Sequence, residues 1–223
     1  MAKPWKEALS LKVDKKSLLL YAVTDRMWLK GRSLASQVED AIRGGVTFVQ
    51  LREKNIDVYE YVALARDVKK VTDKYRIPFV INDDVDVALA ARADGVHVGQ
   101  SDMGVRDARQ RIGEGMILGA SVQTVEQALQ AQEQGADYLG VGAIFTTSTK
   151  LDADNVSLET LKAICSAVTI PVVAIGGIHK DNISMLKGTG VAGIAVVSAL
   201  FAQKDIFAAA HELFALTQRM VTP

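Results

Sequence analysis

Short apolar runs recur along the chain. Each is followed by a polar or glycine residue and then by a stretch in which apolar positions return every three or four residues. The runs occupy 18–23, 46–51, 78–81, 95–98, 117–120, 138–141, 171–175 and 193–197. They are rich in β-branched residues and apolar on both alternating sets of positions, as expected of parallel strands buried on both faces. Between them, Leu34, Val38, Ala41 and Ile42 share one helix face, as do Val58, Tyr61, Val62, Ala65 and Val68. Leu158, Leu161, Ile164, Cys165 and Val168 form a third such stripe. Asp57 with Glu60, and Thr124 with Gln127, have capping-box spacing. Gly44-Gly45, Gly113, Gly135 and Gly190 fall where helices should end before the next strand. The last helix is predicted over 205–220.

Eight strands and eight helices in strict alternation predict the α/β class, as a (β/α)8 TIM barrel. Residues 18–223 form the single barrel domain in this reading. Residues 1–17 form a short N-terminal helical extension over its lower end. A doubly wound open sheet is the alternative, but it normally has fewer strands in a more asymmetric order.

Composition narrows the function. The 26 lysines and arginines balance 26 aspartates and glutamates, for a formal net charge of zero. That balance argues against nucleic-acid binding as the main role. One cysteine, Cys165, forms no internal disulfide and no cysteine-rich zinc site. No apolar run approaches the roughly 18–20 residues that span a bilayer, and the N-terminus lacks an apolar signal core. The expectation is a soluble cytoplasmic protein acting on small molecules, with no membrane or nucleic-acid partner. A homo-oligomer is compatible with the sequence.

Barrel enzymes place their chemistry at the C-terminal ends of the strands. Those ends read Thr24-Asp25, Gln50-Leu51-Arg52-Glu53-Lys54, Asn82-Asp83, Gly99-Gln100-Ser101-Asp102, Ser121, Thr147-Ser148-Thr149-Lys150, Gly176-Gly177 and Ser198. Arg52, Lys54 and Lys150 direct three positive charges at one rim, where arginine grips phosphate bidentately and lysine acts as a point charge. Asp83 and Asp102 end neighbouring strands, about 4.8 Å apart. Two such carboxylates suit Mg2+, with phosphate oxygens and waters completing the shell. Gly176-Gly177 lets backbone N–H groups approach a phosphate, and the loops after strands seven and eight are the usual barrel phosphate site. A diphosphate leaving group and a phosphorylated co-substrate fit this set.

Residues 18–200 resemble the thiamine phosphate synthase family. The resemblance rests on Gln50-Leu51-Arg52-Glu53-Lys54, Ile81-Asn82-Asp83, His97-Val98-Gly99-Gln100 with Asp102, Thr147-Ser148-Thr149-Lys150, and Ile175-Gly176-Gly177-Ile178 followed by Val197-Ser198. It implies transfer of the hydroxymethylpyrimidine group from its diphosphate to the nitrogen of thiazole phosphate, giving thiamine phosphate and pyrophosphate. By the same resemblance the Gln50–Leu51–Arg52–Glu53–Lys54 string, Asn82, Ser121 and Lys150 bind the pyrimidine diphosphate. Lys150, Arg52, Lys54 and Ser121 are the catalytic candidates among them. Asp83 and Asp102 bind Mg2+. Thr147, Ser148, Thr149, Gly177, Val197 and Ser198 hold the thiazole phosphate. The chain departs from the family in the loop after strand six, Gly142-Ala143-Ile144-Phe145-Thr146-Thr147. Two prolines usual there are missing, and the loop is expected to be less preordered.

Plainer readings stand beside these. Asp83 and Asp102 each precede a helix and fit as N-caps, and Ser121 fits as a cap for the helix near Thr124. Arg52 and Lys54 fit as rim salt bridges, Gly176-Gly177 as a turn, and 147–149 as a solvated loop. His97 reads as a packed, hydrogen-bonded barrel residue, His179 and His211 as surface, and Cys165 as core. The competing functions are a related thiazole phosphate tautomerase, a non-catalytic barrel that binds thiamine precursors, and a phosphate-binding isomerase. The tautomerase needs no diphosphate clamp. The isomerase would want a carboxylate or lysine base in the barrel mouth, and the strand ends single none out.

Overall fold

Each of the eight apolar runs forms a strand, and the strands close into a parallel barrel in the order β1 to β8. The computed structural model describes residues 13–100, 102–146 and 155–222. The strands are β1 (Leu20–Val23), β2 (Phe48–Leu51), β3 (Phe79–Asn82), β4 (Gly95–Val98), β5 (Ile117–Val122), β6 (Tyr138–Val141), β7 (Val172–Ile175) and β8 (Gly193–Val196). The helices are α1 (Leu34–Arg43), α2 (Val58–Tyr75), α3 (Val85–Ala91), α4 (Val105–Ile112), α5 (Val125–Glu133), α6 (Leu158–Ala167), α7 (Ser198–Phe201) and α8 (Ile206–Val221). The TIM-barrel expectation holds, and the last helix falls within a residue of its predicted bounds.

Strict alternation fails in one place. Between β7 and β8 the chain forms only a short 3-10 turn, Ile183–Leu186, rather than an α-helix. Asn182 at its start makes no side-chain cap, and Gly188 and Gly190 follow with positive φ. Too few uninterrupted residues remain to propagate a helix. Conversely, β8 is followed by two helices, the first a single turn.

Two cores result. Outward-facing strand residues such as Leu20, Val49, Ile81 and Leu139 pack against the helices. Inside the barrel, Tyr21, Phe48, Val80, Tyr138 and Val173 form a second cluster, which Val13 and Leu18 join from the chain's N-terminal side. Leu18 belongs to a 3-10 turn, Lys15–Leu18, capped by Asp14. Residues 1–12 of the expected extension lie outside the described residues.

The turns leading into β5 and β6 share one anchor. Arg109 on α4 is buried, and its guanidinium donates to the carbonyls of Gly113, Met116 and Gly135. It also pairs with Asp137 at 2.6 Å, and the same carboxylate accepts from the Leu118 N–H.

Candidate active site

The rim at the strand ends begins with β2. Gln50 is 5% exposed and its amide nitrogen donates to the Tyr21 hydroxyl at 2.6 Å, inside the barrel. Leu51 points the other way. Its side chain is fully buried against the helices, and its carbonyl accepts from the Tyr61 hydroxyl. The alternation of a strand therefore leaves Leu51 only its backbone to offer a ligand. The Arg52 N–H is fixed by the Thr24 hydroxyl at 3.1 Å. Neither Arg52 nor Lys54 has an ion-pair partner among the described residues.

Glu53, between those two cations, is committed elsewhere. Its carboxylate pairs with Arg26 at 2.7 Å, and Arg26 reaches on to Glu60 at 2.9 Å. Burial pushes the Glu53 carboxyl up, against the pull of Arg26. Its second oxygen, Oε1, is buried with no hydrogen-bond partner among the described residues. Arg26 thus screens Arg52 and Lys54 from a neighbouring negative charge. Sequence reading missed it, because nothing near Arg26 marks a residue that acts on a motif 27 positions away. Arg26→Ala should cost about 1–2 kcal/mol by chemical denaturation, the pair being partly exposed. Adding Glu53→Gln should restore most of the loss; an unrestored double variant would show that packing, not charge, is what Arg26 supplies.

The carboxylate pair sits at the ends of β3 and β4. Helix α3 is capped by Asp84 and the N-cap position of α4 is Gly104, so neither Asp83 nor Asp102 serves as a helix cap. Asp83 holds a left-handed backbone, φ +64°, with its N–H donating to the His97 carbonyl at 2.8 Å. Asp102 accepts from the Gly99 N–H at 2.7 Å. A Cβ at Gly99 would lie 2.6 Å from the Asp102 carboxylate, so glycine makes that approach available. Burial first, and then the facing Asp102 carboxyl, push Asp83 up to about 7, while Lys54 and the Asn82 amide pull it down. Two carboxylates that resist ionising together suit a divalent cation in place of a shared proton. Among the described residues no third Asp, Glu, His or Cys joins them. Mg2+ commonly takes one or two carboxylates and leaves its remaining positions to waters and phosphate oxygens, so the pair fits it.

Ser121 near the end of β5 does not cap α5; Thr124 does. Its hydroxyl lies 2.9 Å from His97 Nε2, and its carbonyl accepts from the Gln100 amide at 2.7 Å. His97 is packed and hydrogen-bonded, as its sequence position predicts: its Nδ1 lies 2.9 Å from the Tyr138 hydroxyl, which lies 2.8 Å from that of Tyr21.

Across the mouth, Gly176 and Gly177 follow β7 with φ of +99° and +64°, and Val197 and Ser198 follow β8. The loop after β6 is tied to this corner. The N–H groups of Ile144 and Phe145 donate to the carbonyls of Ile175 and Gly176, both at 3.0 Å. Thr147, Ser148, Thr149 and Lys150 lie outside the described residues. A Cβ at Gly177 would lie 2.6 Å from the Thr146 carbonyl oxygen and 2.7 Å from that of Phe145. Gly177→Ala should therefore push that loop aside and strain the left-handed turn, at a cost of about 1–3 kcal/mol in chemical denaturation. An unchanged stability would mean that the loop yields without cost.

A closed (β/α)8 barrel whose strand ends carry basic groups, a carboxylate pair and glycine turns is the frame of a barrel enzyme for anionic substrates. The family model described as thiamine monophosphate synthase (TMP-TENI) matches residues 20–200, and the chain belongs to that family. It is 55% identical over 194 residues to the thiamine-phosphate synthase of Clostridium tetani, covering 87% of this chain and 93% of that one. To the thiamine-phosphate synthase of Ruminiclostridium cellulolyticum it is 54% identical over 194 residues, covering 87% and 92%. The solved structure of thiamine phosphate pyrophosphorylase from Pyrococcus furiosus aligns with a TM-score of 0.86 at 42% identity, covering 93% of this chain and 99% of that one.

Proposed function

We propose that the chain is a transferase that joins hydroxymethylpyrimidine diphosphate to thiazole phosphate, releasing thiamine phosphate and pyrophosphate. The observation that carries this reading is the Asp83–Asp102 pair with Lys54 beside it, at the strand ends of a barrel of this family. In the reaction the bond between the pyrimidine methylene carbon and the diphosphate oxygen breaks, its electron pair leaving with pyrophosphate. The thiazole nitrogen supplies the pair for the new C–N bond, so no proton has to move at the reacting atoms.

The protein's work is electrostatic and positional. Arg52 and Lys54, whose side chains form no ion pair among the described residues, receive the diphosphate oxygens as negative charge builds on them, and Lys150 supplies a further cation. Gln50, Asn82 and Ser121 orient the pyrimidine diphosphate, with the Leu51 and Glu53 backbone beside it. Gly177, Val197 and Ser198 hold the thiazole phosphate with Thr147, Ser148 and Thr149, placing its nitrogen against the methylene carbon. Asp83 and Asp102 are the residues that would hold Mg2+, which would supply positive charge against the diphosphate.

No helix among the described residues is long and apolar enough to cross a membrane. With water-soluble phosphorylated substrates and a free Cys165, we place the reaction in the cytoplasm. The test mixes purified protein, both substrates and Mg2+. Thiamine phosphate and pyrophosphate should appear in equal amounts, each requiring both substrates. Pyrophosphate release that ignores thiazole phosphate would make the chain a hydrolase instead.

A further inference from the structure

Five polar side chains cross the barrel interior in one connected line: Gln50, Tyr21, Tyr138, His97 and Ser121, with links of 2.6, 2.8, 2.9 and 2.9 Å. Its two ends are residues assigned above to the pyrimidine diphosphate. Its three middle members have no assigned role. The line is built with care for space. Gly119 is paired in register with both His97 and Tyr138, and a Cβ there would lie 2.2 Å from the Tyr138 ring and 2.5 Å from His97 Nδ1.

Burial fixes the direction of the line. Tyr21 and Tyr138 are 1% and 0% exposed, so a hydroxyl proton left without an acceptor in either would be costly. Burial also pushes both phenols up, so they remain O–H donors. The Gln50 amide nitrogen can only donate, and it donates to Tyr21. Tyr21 must then give its one proton to Tyr138, its other partner. Tyr138, whose buried proton also needs an acceptor, gives it to His97 Nδ1, its other partner at 2.9 Å. A neutral His97 therefore carries its proton on Nε2 and donates to the Ser121 oxygen. The one proton of the line with no acceptor inside it is that of the Ser121 hydroxyl.

We propose that Tyr21, Tyr138 and His97 are positioning residues that form a one-way hydrogen-bond line from Gln50 to Ser121, holding the Ser121 hydroxyl as a donor to an acceptor atom of the pyrimidine diphosphate. The substrate rests on the function proposed above; the direction of the line does not. It makes the two ends of the subsite interdependent, because the orientation of the Gln50 amide decides what Ser121 presents.

Two measurements test it. In 15N spectra of histidine-labelled protein without substrates, with His97 assigned by its loss in His97→Asn, His97 should be the Nε2–H tautomer. Tyr138→Phe, which keeps the ring and removes the donor to Nδ1, should yield a mixture of tautomers. A wild-type Nδ1–H tautomer reverses the line and overturns the proposal. In kinetics, Tyr138→Phe should lower kcat/KM for the pyrimidine diphosphate about tenfold while leaving the KM for thiazole phosphate unchanged. In a Ser121→Ala background the same change should cost less than about twofold, because the group it acts through is gone. A tenfold loss that persists in that background would mean Tyr138 serves only packing. Tyr21→Phe cuts the line one link earlier and should give the same pattern if Tyr138→Phe folds poorly. A wild-type protein that forms no thiamine phosphate would defeat the proposed function, while the tautomer would still decide the direction.

Discussion

Asp83→Asn should lose activity by about 10²–10³-fold and yet make the metal-free protein more stable at pH 8. The two effects share a cause. Asp83 is held by burial and by the facing Asp102 at about 7, against an ordinary value near 3.8. A carboxyl whose folded value lies above its unfolded value is bound to its proton more tightly in the fold. Stability is therefore lost as pH rises from about 4 to about 7, and above that range the cost is fully present. Asparagine abolishes that cost, keeps the size of the side chain, and tolerates the left-handed backbone at this position better than most residues. With the group partly exposed and its partner coupled to it, the gain should be on the order of 1–2 kcal/mol at pH 8 and close to nothing at pH 4. Thermal melts in chelator at the two pH values measure it. Added Mg2+ should raise the melting temperature of the wild type and not of the variant. A variant no more stable than the wild type at pH 8, or more stable by the same amount at both pH values, would mean that Asp83 carries no strain of charge. A variant with full activity would remove Asp83 from the site.

Lys150→Ala should lower kcat by about 10²–10³-fold while the protein folds normally, the scale on which removal of one well-placed electrostatic contact acts. The argument is one of charge and chain order. Arg52 and Lys54 approach from β2, and β6 stands opposite β2 in the closed order of strands. Lys150 lies four positions beyond Thr146 on the segment that leaves β6, and brings that segment a full positive charge. Negative charge on the leaving diphosphate is greatest as its bond to carbon breaks, so a cation from that side binds the transition state better than the ground state. Lys150→Arg should recover only part of the loss, since a planar fork does not replace a compact ammonium. Single-turnover release of pyrophosphate at saturating substrates separates chemistry from binding. A rate within about threefold of wild type would assign Lys150 to the solvated surface.

The barrel was legible because its strands are buried on two faces, which leaves an unbroken apolar signature such as Phe79-Val80-Ile81 that short amphipathic elements lack. The turn at Ile183–Leu186 was not, because Ile183 and Leu186 are spaced as on a helix face, while the missing cap at Asn182 and the positive φ of Gly188 and Gly190 that cut the segment short belong to the folded backbone. The rim residues were legible as polar and charged groups at strand ends, but the direction in which each side chain points was not. Period-two alternation alone sends Leu51 to the helices and Gln50 to the interior. Whether Asp83 or Asp84 caps α3 depends on one positive φ. Arg26 and the Gln50-to-Ser121 line rest on contacts between residues 24 to 117 positions apart, and no local pattern encodes those.

Arg109 divides this molecule into a face that is fixed and a face that is free to vary. By tying the turns into β5 and β6 together from beneath, it holds the frame with contacts that make no use of the substrate-facing loops. Replacing rim residues then alters chemistry without loosening the frame, whereas Arg109→Ala would loosen it while leaving every rim residue in place. The chain is in this sense a chassis with an interchangeable top: new reactions on it are more accessible by exchanging the loops at the strand ends than by redesigning the barrel.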